Sequence, residues 1–319
     1  MPKVSVIVPV YGVENYIERC VRSLFEQALD DIEYLFIDDC SPDESIEILN
    51  HVLEEYPQRK PQVIIHRMEK NSGQAAVRAW GMQNATGDFI IHCDSDDWVE
   101  RNMYSLMYEK AVQKDADVVM CDYAICDGSN QRIQKCCFAT DKKSIIQDMC
   151  SMRITWSVWN KLIKKSLLEK NIVYPKDNMG EDMALTLQIV LSAQRFEYVP
   201  KPLYYYYNNP KSITKVNTIN SIISKYHQNK KNVEIVLSAF HDFRVEYEYL
   251  DSLMVIKWNA KKLLWGLVHY ETYFKLWKET YSEINGCLLS NPQIIWADKL
   301  RFGLTYLRLY PRKKNRIYE

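Results

Sequence analysis

Three carboxylates fall within four residues in the run D-S-D-D. Asp94, Asp96 and Asp97 follow directly after residues 89–93, an apolar segment typical of a buried strand. Like charges at one strand end repel one another unless a cation lies among them. Carboxylate oxygens are the ligands that Mg²⁺ and Mn²⁺ prefer, so the run predicts a divalent metal site. The alternative is an acidic turn exposed to water, because short motifs often occur by chance.

Two more carboxylates, Asp38 and Asp39, follow the apolar segment of residues 32–37. The segments 4–10 and 89–93 are of the same kind, and apolar residues at helical spacing lie between the three. This alternation predicts an α/β protein with a mostly parallel sheet and crossover helices. Ligands bind beyond the carboxyl ends of such strands, so we expect both groups of acids to meet in one crevice.

Local signals predict further elements. Ser41 and Glu44 have the spacing of a capping box, which predicts that a helix begins there. Residues 103–114 are predicted to form a helix, and a further helix is predicted to end near residue 170. From residue 218 onward the pattern is helical to the end of the chain.

Composition narrows the class of protein. The chain has 319 residues, 47% of them hydrophobic, and its formal net charge is zero, which gives no reason to expect a nucleic-acid partner. Its nine cysteines lack C-x-x-C spacing, which favours reduced thiols over disulfides or a zinc site. No apolar run reaches the about 18 residues of a membrane span, and no signal peptide precedes the first strand. We therefore expect a cytoplasmic protein.

Several nucleotide and metal motifs are missing. No G-x-G-x-x-G follows the first strand and no G-x-x-x-x-G-K-[ST] occurs, which excludes the usual nicotinamide and P-loop sites. The D-S-D-D run also lacks the glycine and the final glutamate of an EF-hand loop. A phosphate-bearing ligand would then be neutralised by metal or by a basic side chain, and Arg78 on the preceding predicted helix is a nearby basic candidate.

Five blocks occur in a fixed order along residues 1–210: V-S-V-I-V-P-V-Y, F-I-D-D-C-S-P-D-E-S, N-S-G-Q-A-A-V-R-A-W-G, G-D-F-I-I-H-C-D-S-D-D and G-E-D. Together they resemble the family 2 glycosyltransferases. The resemblance implies the GT-A type of Rossmann-like fold, a nucleotide-sugar donor, Mn²⁺ or Mg²⁺, and inversion at the anomeric carbon. One departure is V-R-A-W-G, where the family usually reads A-R-N-x-G, so Ala79 replaces an asparagine.

The resemblance also implies roles in donor binding. Pro9 and Tyr11 would flank the nucleobase, Asp39 would hydrogen-bond it, and Arg78 would lie near the base or the diphosphate. The D-x-D positions would meet the ribose, the diphosphate and the metal. They are Asp94, Ser95 and Asp96, with Asp97 as a further metal candidate.

The G-E-D block implies the catalytic residues. Asp182 matches the base that accepts a proton from the acceptor hydroxyl, and Glu181 would orient it or contact the acceptor. Asp182 is predicted to begin a helix, whose dipole would keep the carboxylate ionised. Trp159 and Lys161, in a W-N-K run found near the acceptor site of similar transferases, are acceptor-side candidates.

The predicted function is transfer of a sugar from a nucleotide diphosphate donor, most simply a UDP-sugar, to a hydroxyl of a saccharide acceptor in cell-surface polysaccharide or glycan synthesis. We divide the chain into a catalytic domain, residues 1–215, and a helical C-terminal region with a basic tail, residues 216–319. Two alternatives remain. They are a metal-dependent nucleotidyltransferase, which normally has a glycine-rich and basic loop where this chain has V-Y-G-V-E, and an inactive scaffold of the same fold.

The C-terminal stretch, residues 294–310, is apolar-rich and contains basic residues, and P-R-K-K-N-R follows it. This pattern predicts an interfacial helix with a basic anchor, which would bring the enzyme to the inner face of a membrane and to lipid-linked acceptors. The alternative is a helix docked on the catalytic domain with a solvated tail.

Overall fold

The computed structural model describes residues 1–128, 130–136, 138–139, 141–169, 172–210 and 217–309. Its strands are β1 (Val4–Val10), β2 (Ile32–Asp38), β3 (Val63–Arg67), β4 (Phe89–His92), β5 (Trp98–Val99), β6 (Val118–Asp127), β7 (Asn130–Gln134), β8 (Lys161–Lys164) and β9 (Phe196–Tyr207). Its α-helices are α1 (Ile17–Phe25), α2 (Ser45–Glu55), α3 (Gln74–Asn84), α4 (Met103–Lys114), α5 (Lys142–Cys150), α6 (Glu181–Ser192), α7 (Ile219–Asp242), α8 (Leu250–Lys262), α9 (Glu271–Glu279) and α10 (Trp296–Tyr306).

The strands of the described residues form one sheet. Its order is β3-β2-β1-β4-β8-β6-β9-β5, and β7 pairs with β6. The first four strands are mutually parallel and helices connect them, whereas β8 lies between β4 and β6 and is antiparallel to both. The predicted α/β fold with crossover helices is confirmed.

Helices cover both faces of this sheet, which explains the nearly continuous apolar sequence of β1. Val6 and Val8 point into a core shared with α1, α2 and α4. Ile7, between them, points into a second core shared with α3, α6 and α7. Successive side chains of a strand face opposite sides, so a strand buried on both faces needs apolar residues at every position.

The carboxyl ends of β1, β2 and β4 lie at one edge of the sheet. Val10 at the end of β1 is paired with Asp38, and its carbonyl accepts a 2.9 Å hydrogen bond from the Asp39 amide. On the other side of β1, the Cys93 amide donates to the Ile7 carbonyl at 2.9 Å. The chain that follows β2 and the D-S-D-D run that follows β4 therefore leave the sheet side by side.

Two predictions of local structure are wrong. The helix α2 begins at Ser45, without a capping side chain at Glu44. The Ser41 hydroxyl instead donates to Asp43 at 2.6 Å and accepts from the Gly12 amide at 2.8 Å, so it joins two loops rather than capping a helix. In the segment predicted to be a helix up to about residue 170, Lys161–Lys164 instead form β8, because β4 and β6 supply partners for its backbone hydrogen bonds. A single 3₁₀ turn follows at Lys165–Leu167, and residue 170 itself lies outside the described residues.

The C-terminal helices pack closely against the rest of the chain. Val233, Val236 and Phe240 of α7 belong to the same core as α6. A separate small core, which includes Trp258, Trp277 and Phe302, joins α8, α9 and α10. The division at residue 215 remains a prediction, and the basic tail lies outside the described residues. Within the described ranges, no helix combines the length and the apolar character needed to cross a membrane.

A substitution at Gly81 tests the close packing of α3 on β1. A Cβ atom added there would lie 2.5 Å from Ile7 Cγ2. We expect Gly81→Ala to lower the free energy of unfolding, because overpacking costs about 1–3 kcal/mol and exceeds the about 1 kcal/mol gained in helix propensity. Gly303→Ala in α10 is the control, since no atom lies within 4 Å of its added Cβ. Urea unfolding should show a loss for the first variant only, and equal stability of both would contradict this packing.

Candidate functional site

The three acids of the D-S-D-D run point to different partners. The run forms a tight turn after β4, closed by a 3.0 Å hydrogen bond from the Asp97 amide to the Asp94 carbonyl. The Asp94 side chain contacts Arg78, whereas the Asp96 side chain accepts a 3.0 Å hydrogen bond from the side-chain amide of Asn209. The acids of the run therefore lie in different environments.

Asp97 is fully buried and both of its oxygens are hydrogen-bonded. The Tyr204 hydroxyl donates to one at 2.6 Å, and the Tyr207 amide donates to the other at 2.7 Å. The same Tyr204 hydroxyl accepts a hydrogen bond from the Asp94 amide at 3.0 Å. These contacts fix β9 to the turn, and we assign Asp97 this structural role in place of the metal role that the sequence suggested.

Arg78 connects the D-S-D-D turn to the G-E-D block. Its side chain, only 5% exposed, forms one ion pair with Asp94 at 2.6 Å and a second with Glu181. Because α3 carries Arg78 and α6 begins at Glu181, the ion pairs bring β4, α3 and α6 together at one point. The candidate donor side and the candidate base side are thus adjacent.

The G-E-D block opens α6 as predicted. Gly180 has a left-handed backbone, with φ of +84°, and the Asp182 amide donates to the Glu181 carboxylate at 2.7 Å. Burial raises the pKa of Asp182, although the charge of Arg78 opposes this shift. Burial also raises the pKa of Glu181, to about 7, again against Arg78. The expectation that the helix start alone keeps Asp182 ionised is therefore incomplete, because desolvation acts in the opposite direction.

The predicted nucleobase residues flank the same edge. Tyr11 is 47% exposed just beyond β1, and Pro9 is half-buried. The Asp39 carboxylate accepts hydrogen bonds from the Ser72 amide at 2.7 Å and the Gly73 amide at 2.8 Å. Asp39 therefore holds the loop that leads into α3, and any contact with a base would use its remaining lone pairs.

The acceptor-side candidates lie inside the protein. Trp159 is buried and stacks on Tyr204, with ring centroids 4.3 Å apart. Lys161 is also buried, and its Nζ donates three 2.8 Å hydrogen bonds, to Thr155, Ser157 and Asn160. Burial lowers the pKa of Lys161 to about 8. With all three of its protons used internally, Lys161 supports the fold rather than contacting an acceptor.

Sequence reasoning missed two residues next to Asp96. Arg19 donates to the Asp96 carbonyl at 2.9 Å, and its guanidinium lies 3.7 Å from the centre of the Trp98 ring. Asn209 contacts the Asp96 carboxylate. Neither residue belongs to one of the five blocks, so no local motif could have identified it.

Asp94 and Asp96 lie where a bound cation would be favourable. Ser95 is buried in the turn, and Asp94 and Asp96 remain partly exposed on either side of it. Burial raises the pKa of Asp96, and the negative charge of Asp94 raises it further. Within the described ranges, no group of three His, Cys, Asp or Glu side chains is gathered to hold a metal. Asp94 and Asp96 are the two partly exposed carboxylates of the turn, a number that suits a cation whose other ligands are phosphate oxygens.

Comparison with known families agrees with this geometry. The family model described as Glycosyl transferase family 2 matches residues 5–179. The chain therefore belongs to this family, and the prediction from the five sequence blocks is confirmed.

Two relatives show how far the similarity extends. The glycosyltransferase EpsJ of Bacillus subtilis, itself uncharacterized, is 31% identical over 227 residues, which are 68% of this chain and 64% of EpsJ. The cholesterol galactosyltransferase of Borreliella burgdorferi is 26% identical in an alignment 347 positions long, gaps included, which covers 99% of this chain and 92% of that protein. The chain spans less than two thirds of the length of the first curated relatives that it matches.

Solved structures support the fold. Staphylococcus aureus TarS 1–349 in complex with UDP-GlcNAc superposes with a TM-score of 0.62 at 18% identity, covering 97% of this chain and 88% of TarS. The mannosyltransferase PcManGT of Pyrobaculum calidifontis, in complex with GDP-Man and Mn²⁺, superposes with a TM-score of 0.55 at 15% identity, covering 97% of this chain and 87% of PcManGT. At this level of identity the two structures establish the GT-A fold.

Alanine substitutions separate the roles of the acids. We expect Asp97→Ala to lower the free energy of unfolding by about 2 kcal/mol or more, because it leaves two buried donors unpaired. Asp96→Ala should change stability by less than about 1 kcal/mol, because Asp96 accepts a single side-chain hydrogen bond at a partly exposed position. Calorimetry with UDP and Mn²⁺ should show weakened binding for Asp96→Ala. The assignment is wrong if Asp96→Ala is the less stable variant or binds UDP and Mn²⁺ normally.

Proposed function

We propose that the protein is an inverting glycosyltransferase that moves a sugar from a nucleotide diphosphate donor to a hydroxyl of a saccharide or lipid-linked acceptor. The observation that carries this proposal is the double ion pair of Arg78 with Asp94 and Glu181. It holds the carboxylates that would bind a cation with the donor diphosphate next to the carboxylates that would deprotonate an acceptor hydroxyl. A direct displacement needs the base and the diphosphate on opposite sides of the anomeric carbon, where one bond forms as the other breaks.

The donor would bind across the carboxyl ends of β1, β2 and β4. Pro9 and Tyr11 would contact the nucleobase, and Asp39 would both shape the adjacent loop and accept a hydrogen bond from the base. UDP is the proposed nucleotide, supported by the UDP-GlcNAc bound in TarS. The sugar would then lie toward Arg78 and the start of α6.

Asp94 and Asp96 would hold a divalent cation together with the donor diphosphate, with Mn²⁺ supported by the PcManGT complex. When bound, such a cation stabilises the negative charge that develops on the departing diphosphate. Asp96 is the stronger ligand candidate, because the Asp94 carboxylate is already paired with Arg78. Arg78 itself supplies a fixed positive charge beside the same group.

Asp182 is proposed as the base that accepts the proton of the attacking hydroxyl. Its burial raises its pKa, which strengthens it as a proton acceptor while it remains ionised. Arg78 limits that shift by favouring the charged form. A single base and a single displacement invert the anomeric centre. Glu181 would orient this base through the hydrogen bond that its carboxylate accepts from the Asp182 backbone amide.

We also propose that α10 places the enzyme on an anionic membrane surface. Asp298 and Phe302 anchor one face of the helix in the C-terminal core, where Asp298 accepts from the Trp258 indole at 3.0 Å. The opposite side leaves Trp296 of α10 73% exposed and Leu307, the residue that follows the helix, 66% exposed. An apolar stripe combined with basic residues suits the boundary of a bilayer with anionic head groups. The basic residues of this stretch are Lys299, Arg301, Arg308, Arg312, Lys313, Lys314 and Arg316.

This arrangement combines the two alternatives for the C-terminal stretch. The helix docks on the protein and also presents apolar side chains outward. Asp298, the acidic residue of α10, is buried, so the exposed surface of that helix carries no carboxylate. The proposed acceptor class follows from this position, and the membrane lipid named for the Borreliella relative supports it.

Nucleotide binding tests the proposed function. Calorimetry with UDP, GDP, CDP and dTDP, each with and without Mn²⁺, should show metal-dependent binding of one diphosphate. Release of that diphosphate from its nucleotide sugar, with water as the acceptor, gives the activity. Tight binding of nucleoside triphosphates without diphosphate binding would indicate a nucleotidyltransferase. Diphosphate binding without any turnover would indicate a scaffold.

Asp182→Asn tests the base. We expect the rate of diphosphate release to fall by about 100-fold or more, while UDP affinity changes less than about 2-fold, because the amide cannot accept the proton. In the wild-type protein, kcat should fall as the pH is lowered through a pKa above the about 3.9 of an ordinary aspartate, since only the ionised form acts as a base. Retained turnover in Asp182→Asn would remove this residue as the base.

Vesicle sedimentation tests the membrane proposal. We expect binding to phosphatidylglycerol-containing vesicles at low salt, weaker binding at high salt, and a loss of binding in Trp296→Ser/Leu307→Ser. Leu289→Ser is the matched control, because Leu289 is also exposed but lies in neither α10 nor the residues that follow it. Absence of sedimentation at low salt would contradict the proposal. A dimer that the double variant abolishes would assign the face to a second copy of the chain instead.

A further inference from the structure

Side-chain amides of α7 hold the loop that precedes the proposed base. Asn232 is 1% exposed, and its Nδ2 donates both protons to that loop, to the Asp177 carbonyl at 2.8 Å and the Met179 carbonyl at 3.0 Å. Gln228, one turn earlier, accepts from the Met179 amide at 3.1 Å. The backbone of Met179 is therefore bound to α7 through both its N–H and its C=O.

The loop passes directly from these contacts to the catalytic carboxyls. Gly180 follows Met179 in a left-handed conformation, and a Cβ atom there would lie 2.5 Å from the Asn229 side-chain nitrogen. Glu181 and Asp182 come next, as the first two residues of α6. With Met179 fixed and Gly180 pressed against α7, the direction in which α6 starts is determined by α7.

The same loop contacts α3 on its other side. The Asn178 side-chain oxygen accepts a 3.0 Å hydrogen bond from the Ala75 amide, in the first turn of the helix that carries Arg78. The loop thus lies between α7 and α3 and leads directly into the start of α6. A displacement of this loop would change the position of Asp182 relative to Arg78.

We infer that Asn232, assisted by Gln228, is a positioning residue for the catalytic base. The inference rests on the proposed role of Asp182. By this inference α7 contributes to the active site, although it lies beyond residues 5–179, which the family model matches. Asn232 acts as a donor only, because its Oδ1 has no hydrogen-bond partner among the described residues. Its function is therefore to satisfy two carbonyls of the loop and fix their separation.

Asn232→Leu tests this inference because leucine has a similar size and no donor. Positional errors of about 1 Å in a reacting group cost about 100-fold in rate, so we expect kcat for diphosphate release from UDP-GlcNAc or GDP-mannose to fall by about 10- to 100-fold. The donor KM and UDP affinity should change less than about 2-fold. Hydrogen exchange of the amides of residues 178–182 should become faster. Lys231→Ala is the matched control, since Lys231 contacts Asp177 only at the surface, at 3.2 Å.

The outcomes distinguish this inference from the proposed function. If Asn232→Leu keeps the kcat and the amide hydrogen exchange of the wild-type protein while Asp182→Asn is inactive, the inference is overturned but Asp182 remains the base. Retained turnover in Asp182→Asn would overturn the base itself. Parallel loss of kcat and UDP binding would show a general structural role for Asn232 and also overturn the inference. If Asn232→Leu does not fold, Gln228→Leu at a half-buried position should still lower kcat without changing the donor KM.

Discussion

The buried guanidinium of Arg78 is the interaction on which the rest of the site depends. A buried charge is strongly unfavourable unless it is paired, and here Asp94 and Glu181 both pair with it. Glu181 depends on the pair in turn, because burial raises its pKa and the charge of Arg78 opposes that shift. The consequence is geometric: β4, α3 and α6 have to meet where these three side chains meet. Two parts of the chain about a hundred residues apart thereby form one site.

The three acids of the D-S-D-D run differ in how deeply their side chains are buried. Asp97 is sealed beneath Tyr204 and serves the fold, whereas Asp94 and Asp96 stay partly exposed. A run of like charges is tolerated because the turn directs each carboxylate to a different partner. This division suits a site that receives a highly charged ligand. Two carboxylates can share a cation with a diphosphate, while a third, placed beside them, would only add repulsion.

The C-terminal helices have a closer relation to the site than their position in the sequence suggests. α7 shares a core with α6 and contacts the loop before it through amide side chains. α10 is farther along the chain and presents an apolar face outward. α7 therefore borders the proposed active site, whereas α10 is suited to contact with a surface on which an acceptor would lie.

Local patterns in the sequence predict the α/β class and the edge of the sheet at which the acids lie, because buried parallel strands are continuous apolar runs whose carboxyl ends share one edge. The family is recognised separately, from the resemblance of the five ordered blocks. The environment of each acid, in contrast, depends on contacts between segments that the sequence does not show to be close. The burial of Asp97, the internal bonds of Lys161 and the contacts of Asn209 and Asn232 come from segments far apart in the chain. The raised pKa of Asp182 has the same origin, since a helix start is visible in the sequence but desolvation by distant residues is not.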